Sequence, residues 1–361
     1  MKVLFLSICF SLLLLAGYAQ RQTENVFLIT TDGLRWQEVF GGADSSLLFD
    51  PVFTSDTAKL KKQFWANTPE ERRRKLLPFF WETLGKQGQL YGNRLKDSRM
   101  NVSNAYWFSY PGYSEILCGY ADDRINSNDA KDNLNTTVLE FINRQPQYKG
   151  KVASYAGWHV IPNIINEKRS GVLANAGHEA AVSPNEKEKL LNDMMEKVPG
   201  PWGETRQDFM TYYLAKEYIQ KNKPKVFFLS FDETDGFAHA GKYDQYLQTA
   251  HTVDKFIDDL WSYLQSQPEY KGKTTLLLTT DHGRGHTPKA RWKDHGTKTP
   301  DSFQIWMGAM GPDTPALGEV KTENVLFQNQ IAQTLAHFLG LDFKCEHPVS
   351  EAIPTVLKNK Q

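Results

Sequence analysis

Cysteine is scarce in this 361-residue chain, which has only Cys9, Cys118 and Cys345. So few exclude a disulfide framework, and a cysteine-rich zinc module would need more of them at close spacing. Net charge is lacking too, since 42 Lys and Arg stand against 42 Asp and Glu. A chain so balanced has no bulk positive charge for nucleic acid, and no nucleic-acid platform is expected. Internal repeats, low-complexity tracts and long Gly/Ser linkers are absent. Beyond the first twenty residues no apolar run approaches the roughly 20 residues needed to cross a bilayer. Core material, by contrast, is plentiful: 40% apolar and 12% aromatic residues support a large packed interior and exclude a disordered chain.

Residues 1–19 have the form of a secretory signal peptide. Lys2 gives a positive start, Val3 to Leu15 is almost wholly apolar, and Ala16-Gly17-Tyr18-Ala19 offers small residues for cleavage. Lipid attachment at Cys9 is disfavoured, because Ile8 stands where a small residue is needed. Cleavage after Ala19 predicts a secreted or periplasmic protein with no membrane association. It leaves 41 positive against 42 negative side chains, and two cysteines, Cys118 and Cys345, whose pairing the sequence leaves open.

Three segments share one design. Val26 to Thr31 runs into Asp32-Gly33, Val226 to Phe231 into Asp232-Glu233-Thr234-Asp235, and Thr275 to Thr280 into Asp281-His282-Gly283. Near-continuous apolar runs of this length predict strands buried on both faces, as in parallel sheets covered by helices. Between the last two, Leu247, Ala250, Val253, Phe256, Ile257, Leu260 and Leu264 recur at helical spacing over about 242–265, which completes a βαβ unit. A second amphipathic stretch, Phe209 to Gln220, precedes the Val226 strand. The fold class is therefore α/β, a sandwich around a mostly parallel central sheet with helices on both faces.

Ligands bind outside the carboxyl ends of such strands, where these acidic residues should converge. Gathered carboxylates need compensating positive charge, most simply a cation. Histidines supply the remaining donors: His239 follows Asp235 by four residues, His282 adjoins Asp281, and His295 comes thirteen residues later in Asp294-His295-Gly296. Mixed imidazole and carboxylate donors suit zinc or a related transition metal. Asp281 and His282 would point to opposite faces inside a strand, so both can reach one ion only where the strand breaks, which Gly283 makes easy. His251 reads as a helix residue, His286 as a possible substrate contact, and His159, His178, His337 and His347 as structural or surface groups.

Taken in order, Asp32-Gly33, Ser109-Tyr110-Pro111-Gly112, Asp235 with His239, Asp281-His282-Gly283 and Asp294-His295-Gly296 resemble the alkaline phosphatase superfamily. The branch they are most similar to is the type I phosphodiesterase/nucleotide pyrophosphatase group, over roughly residues 26–310. The resemblance implies an alkaline-phosphatase-like catalytic domain over 20–361, with insertions at about 43–100 and 150–205. It implies two divalent metal ions, with zinc the expected element: Asp32, Asp281, His282 and the Ser109 oxygen as ligands of one, and Asp235, His239 and His295 of the other. Ser109 would be the nucleophile, favoured as an alkoxide by the metal and converted to a phosphoserine that water then hydrolyses. Many relatives carry an Asn about twenty residues beyond the nucleophile; Asn126 and Asn128 lie 17 and 19 residues beyond Ser109, and Asn128 is favoured.

The expected activity is that of a phosphodiesterase acting on a phosphorylated small molecule. A phosphate monoesterase is the main alternative, because some secreted monoesterases of the superfamily use a Lys and an Arg near this point. Lys168 aligns as the substrate-binding Lys, whereas Ser170 falls at the Arg position. A sulfatase fits poorly, since its modification motif ends in Arg where Tyr113 stands here, and its oxygen-rich calcium site does not suit three histidines. A non-catalytic metal- or phosphate-binding protein would keep the ligands without needing Ser109.

Thr68-Pro69-Glu70-Glu71 predicts a capped helix start, and Arg72 to Lys75 a solvated helical face. Trp36, Tyr106, Trp107, Tyr113 and Trp158 are candidates to stack on a substrate ring.

Overall fold

The computed structural model describes residues 21–198 and 200–358; the segment read as a signal peptide lies outside them. In chain order the strands are β1 (Asn25–Thr31), β2 (Gln89–Tyr91), β3 (Met100–Asn101), β4 (Val152–Ala156), β5 (Leu173–Ala176), β6 (Val226–Phe231), β7 (Thr274–Thr279), β8 (Gln304–Ile305), β9 (Met307–Met310), β10 (Gly318–Glu319) and β11 (Leu326–Phe327). Eight of them form one sheet in the order β10-β2-β9-β7-β1-β6-β4-β5. The three runs that end in carboxylates are its adjacent central strands, β7, β1 and β6, all parallel. Only β9 runs against its neighbours. The remaining β3, β8 and β11 make a small second sheet.

Alternation along the central strands feeds two layers. Phe27, Ile29, Phe227, Leu229, Leu276 and Leu278 enter one core with the long helix Tyr243–Ser266 and the helix Asp208–Asn222. Val26, Leu28, Val226, Phe228 and Leu277 enter the other, beneath the helices Ser109–Cys118, Val138–Asn143 and Gln330–Phe338. Both sheet faces are thus covered, and each side chain so buried contributes about 1.5–3 kcal/mol. This is the α/β sandwich that the patterning predicts.

The regions read as insertions do more than decorate this frame. Segment 150–205 contributes β4 and β5, and segment 43–100 contributes β2, so both extend the main sheet. These strands are short, and Leu173–Ala176 carries no β-branched residue, which hides it from pattern reading. Thr68 does begin a helix, Pro69–Leu76, with a complete capping box to Glu71. The basic face on that helix is not simply solvated. Arg73 is buried, pairs with Glu319 at 3.1 Å and lies 3.5 Å over the Trp81 ring, while Arg72 lies 4.6 Å over Trp65. Among the described residues no helix is long and apolar enough to cross a membrane.

Candidate active site

Strand register sets the level of the acidic groups. Thr31 of β1 lies opposite Phe231 of β6, and Thr30 opposite Thr279 of β7, so Asp32, Asp232 and Asp281 leave the sheet side by side. β7 ends at Thr279, and Asp281 and His282 follow in irregular backbone, as their shared orientation demands. Gln328 pins this exit by donating to the carbonyls of Thr280 at 3.0 Å and Asp281 at 2.7 Å. The chain then makes a loop closed by the Gly285 N–H to the Asp294 carbonyl at 3.0 Å, which returns His295 over His282 with ring centroids 4.0 Å apart.

Ser109 opens the Ser109–Cys118 helix and is only 7% exposed. Its Oγ lies 3.5 Å from His282 Nε2. The approach depends on Gly112, because a Cβ there would stand 2.4 Å from the Asp281 carbonyl oxygen. The helix N-terminus turns its positive end to the site. Asn128 reaches the same turn: its Oδ1 accepts the Tyr110 N–H at 2.9 Å. Asn126 instead donates to the Asp123 carbonyl.

Two donor groups meet at His282, the neighbour of Ser109. In one, His282 Nε2 lies 3.3 Å from Asp32 Oδ1 and 3.4 Å from Asp281 Oδ2. In the other, Asp235, one turn before His239 on the helix Glu233–His239, places Oδ2 3.3 Å from His239 Nε2 and Oδ1 3.6 Å from His295 Nε2. His239 and His295 bring their Nε2 atoms within 2.9 Å, and Asp235 Oδ1 is also 3.9 Å from His282, so the groups adjoin. Three or more ligand atoms converge for Asp32, Asp281 and His282, and again for Asp235, His282 and His295.

The residues fit metal ions on their unmet bonding. Asp32 Oδ1 and Asp281 Oδ2 are buried with no hydrogen-bond donor, whereas their other oxygens accept from Tyr113 Oη at 3.1 Å and the Gly33 N–H at 3.0 Å. His282 Nδ1 lies 2.9 Å from the Gly283 carbonyl; donation there leaves the Nε2 lone pair facing both carboxylates, the usual arrangement behind a metal ligand. Uncompensated, this site is in electrostatic conflict. Burial and the Asp32 charge push the Asp281 carboxyl up to about 8. Burial opposes a proton on His282, but Asp281, Asp32 and the Gly283 carbonyl outweigh it and raise the ring to about 9. Burial and the nearby His282, Arg284 and His239 instead drive His295 well below its ordinary value.

Asp32, Ser109, Asp235, His239, Asp281, His282 and His295 are therefore brought together, with Asn128 beside the serine. Lys168 is not: it is exposed on the helix Glu167–Ser170, and no hydrogen bond or ion pair joins it to these residues. His286 is exposed, and His251 Nδ1 meets the Leu76 carbonyl at 2.7 Å inside the structure. Tyr113 cannot stack on a substrate, because it is fully buried and its hydroxyl serves Asp32 and accepts from Ser230 at 2.9 Å. Cys118 and Cys345 are both free thiols.

Pattern reading missed three groups. Tyr113, by sequence only a stacking candidate, instead holds Asp32. Trp107, two residues before Ser109, has a left-handed φ of 53°, a conformation costly for an aromatic residue; its signal is invisible without the backbone. Arg284, in the run Asp281-His282-Gly283-Arg284, is fully buried against Asp235. Burial lowers its guanidinium to about 9, which leaves it charged at neutral pH.

Residues 44–304 match the family described as type I phosphodiesterase / nucleotide pyrophosphatase. The chain belongs to this family. Its solved structural neighbours include proteins of the alkaline phosphatase superfamily, and the chain shares their fold. The wild-type alkaline phosphatase PafA superposes with a TM-score of 0.57 at 10% identity, covering 93% of this chain and 99% of that one. The lipoteichoic acid synthase LtaP from Listeria monocytogenes gives 0.54 at 12% identity, covering 90% and 74%. BT1596, a 2-O GAG sulfatase, gives 0.55 at 12% identity, covering 94% and 76%. At these identities the likeness shows fold alone. No curated protein matches the chain.

Proposed function

We propose that this family member is an exported phosphoester hydrolase that uses Ser109 as a covalent nucleophile between two divalent ions, with zinc the best match, and prefers phosphodiesters of small molecules. One observation carries the reading: the Ser109 hydroxyl lies 3.5 Å from His282 Nε2, next to buried Asp32 and Asp281 oxygens that have no donor, with Asp235, His239 and His295 alongside. When bound, the ions would polarise the phosphoryl group and lower the cost of deprotonating the serine. Asp32, Asp281 and His282 would hold one, and Asp235, His239 and His295 the other.

The chain's own groups supply position and charge. Ser109 sits at the positive end of its helix, where developing phosphoryl charge is favoured. In the first step the Ser109 Oγ–P bond forms, the ester P–O bond breaks and the departing alcohol takes a proton. In the second a water oxygen attacks phosphorus, the Oγ–P bond breaks and Ser109 regains its proton. Asn128, anchored through Oδ1 to the Tyr110 amide, keeps its NH2 group available for a phosphoryl oxygen.

Diester preference is supported by Lys168. A monoester carries an extra charge that calls for a fixed cation, and Lys168 is exposed while Arg169 is engaged by Glu140 at 2.9 Å. A sulfatase reading gains nothing from Tyr113, which is committed to Asp32. Export rests on the form of residues 1–19.

Matched aryl phosphodiester and aryl phosphate substrates, assayed with zinc-loaded protein, test the proposal. Higher kcat/KM on the diester is expected, and Ser109→Ala should lose at least about 10³-fold while still folding. Equal activity in the alanine variant would reject covalent catalysis, and a monoester preference would reverse the substrate assignment.

A further inference from the structure

Arg284 is fully buried two residues after His282, and its hydrogen bonds end on three parts of the candidate site. Nε donates to the Gly33 carbonyl at 3.1 Å, in the turn that follows Asp32. Nη1 donates to the Lys293 carbonyl at 2.7 Å, two residues before His295. Nη2 donates to Asp235 twice, at its carbonyl at 3.3 Å and at the carboxylate Oδ1. Gly33 has a left-handed φ of 59°, and a Cβ there would meet Arg284 Nε at 2.8 Å, so the glycine leaves room for the guanidinium.

These contacts have a directional consequence. Asp235 has one oxygen toward His239 and one toward His295 and His282. The guanidinium holds the second of these. We propose that Arg284 is a positioning residue for the ion site formed by Asp235, His239 and His295: by occupying Oδ1 it fixes the carboxylate as a one-oxygen ligand through Oδ2, and by holding the Lys293 carbonyl it sets the height of His295. This inference rests on the two-ion reading above. At the other ion site Arg284 holds only the Gly33 carbonyl and touches no carboxylate. Asp32 and Asp281 are set by Tyr113 and the Gly33 amide, so loss of the Arg284 side chain should strike the two sites unequally.

A purely electrostatic role predicts the opposite sign. A cation this close to an ion site repels the ion, so its removal would tighten binding. A positioning role predicts weakening by about 10–100-fold, the range seen when outer contacts that orient a ligand are lost.

Zinc titration of metal-free protein against a chromophoric chelator, repeated with cobalt to read ligand geometry from its visible absorption, separates these possibilities. Wild type should take up two ions. Arg284→Met should keep one near wild-type affinity, bind the other about 10–100-fold more weakly, and show an altered cobalt spectrum at that site alone. If the methionine variant does not fold, Arg284→Lys carries the test, because it keeps the charge but loses the fork; several-fold weakening at the same single site is expected. Unchanged affinity at both sites in a folded variant, tighter binding, or equal weakening of both overturns the role of Arg284 while leaving the two-ion reading intact. Fewer than two ions in wild type overturns that reading and this inference with it.

Discussion

Two sets of buried carboxylates share the Ser109–Cys118 helix as a neighbour and are treated in opposite ways. Glu115, on that helix, accepts from the Ser103 amide at 2.9 Å and hydroxyl at 2.8 Å, the Asn104 amide at 2.9 Å and side chain at 2.8 Å, and the Asn329 amide at 3.1 Å. Asp32 and Asp281 are as deeply buried, yet each has an oxygen without any donor. Glu115 ties three segments together and has no bonding capacity left. The two aspartates keep theirs, directed at His282. Burial alone thus does not mark a site; unmet acceptors at the carboxyl edge of a parallel sheet do.

Asp281→Asn should break the contrast most visibly. Zinc-dependent hydrolysis of an aryl diester is expected to fall by more than about 100-fold, beyond the range of an outer-contact loss. Metal-free thermal stability should hold or rise, because the amide relieves the electrostatic conflict between the buried Asp281 and Asp32 carboxyls. A large drop in metal-free melting temperature would mean that Asp281 is structural, like Glu115.

Glu115→Ala should do the reverse. It strands several buried donors, each costing about 1–3 kcal/mol, so urea unfolding should show a loss of roughly 3 kcal/mol or more. Zinc affinity of the folded fraction should stay near wild type. Unchanged stability would remove the distinction between the two sets.

A fourth buried acid sharpens the comparison with a smaller effect. Asp254 accepts the Phe79 and Phe80 amides at 2.8 and 3.0 Å, but burial outweighs them and raises its carboxyl to about 7. Because the folded value lies above the unfolded one, the associated stability is complete below the ordinary carboxylate range and is lost as pH rises toward 7. Asp254→Asn should flatten this decline, by roughly 2 kcal/mol between pH 5 and 7 in chemical unfolding. A variant with the same slope as wild type would show that Asp254 does not titrate there.

What could be read from sequence follows from how each feature is encoded. Strands β1, β6 and β7 are buried on both faces, so each is a continuous apolar run, and the acid that ends it marks the sheet's carboxyl edge. The long helix Tyr243–Ser266 showed its stripe for the same reason. β9, only Met307–Met310, and β5 are too short to carry a pattern. Ser109 is legible only through resemblance, since one serine before Tyr-Pro-Gly has no periodic signal. Neither the role of Arg284 nor the true role of Tyr113 is legible in sequence: their partners are distant carboxylates, a hydroxyl and backbone carbonyls, which only the folded register brings within reach. Arg73 reads as solvated in sequence because its neutralising partner, Glu319, lies far along the chain.

The central claim is that Ser109 is the attacking group inside this cluster. Zinc-loaded protein turning over an aryl phosphodiester, quenched in acid and digested, gives the most direct test through mass spectrometry of the peptide containing Ser109. A phosphoryl group on Ser109 that accumulates on mixing and is absent from Ser109→Ala is the predicted result. Full turnover with no modification at Ser109, or phosphorylation at another residue, would contradict the account.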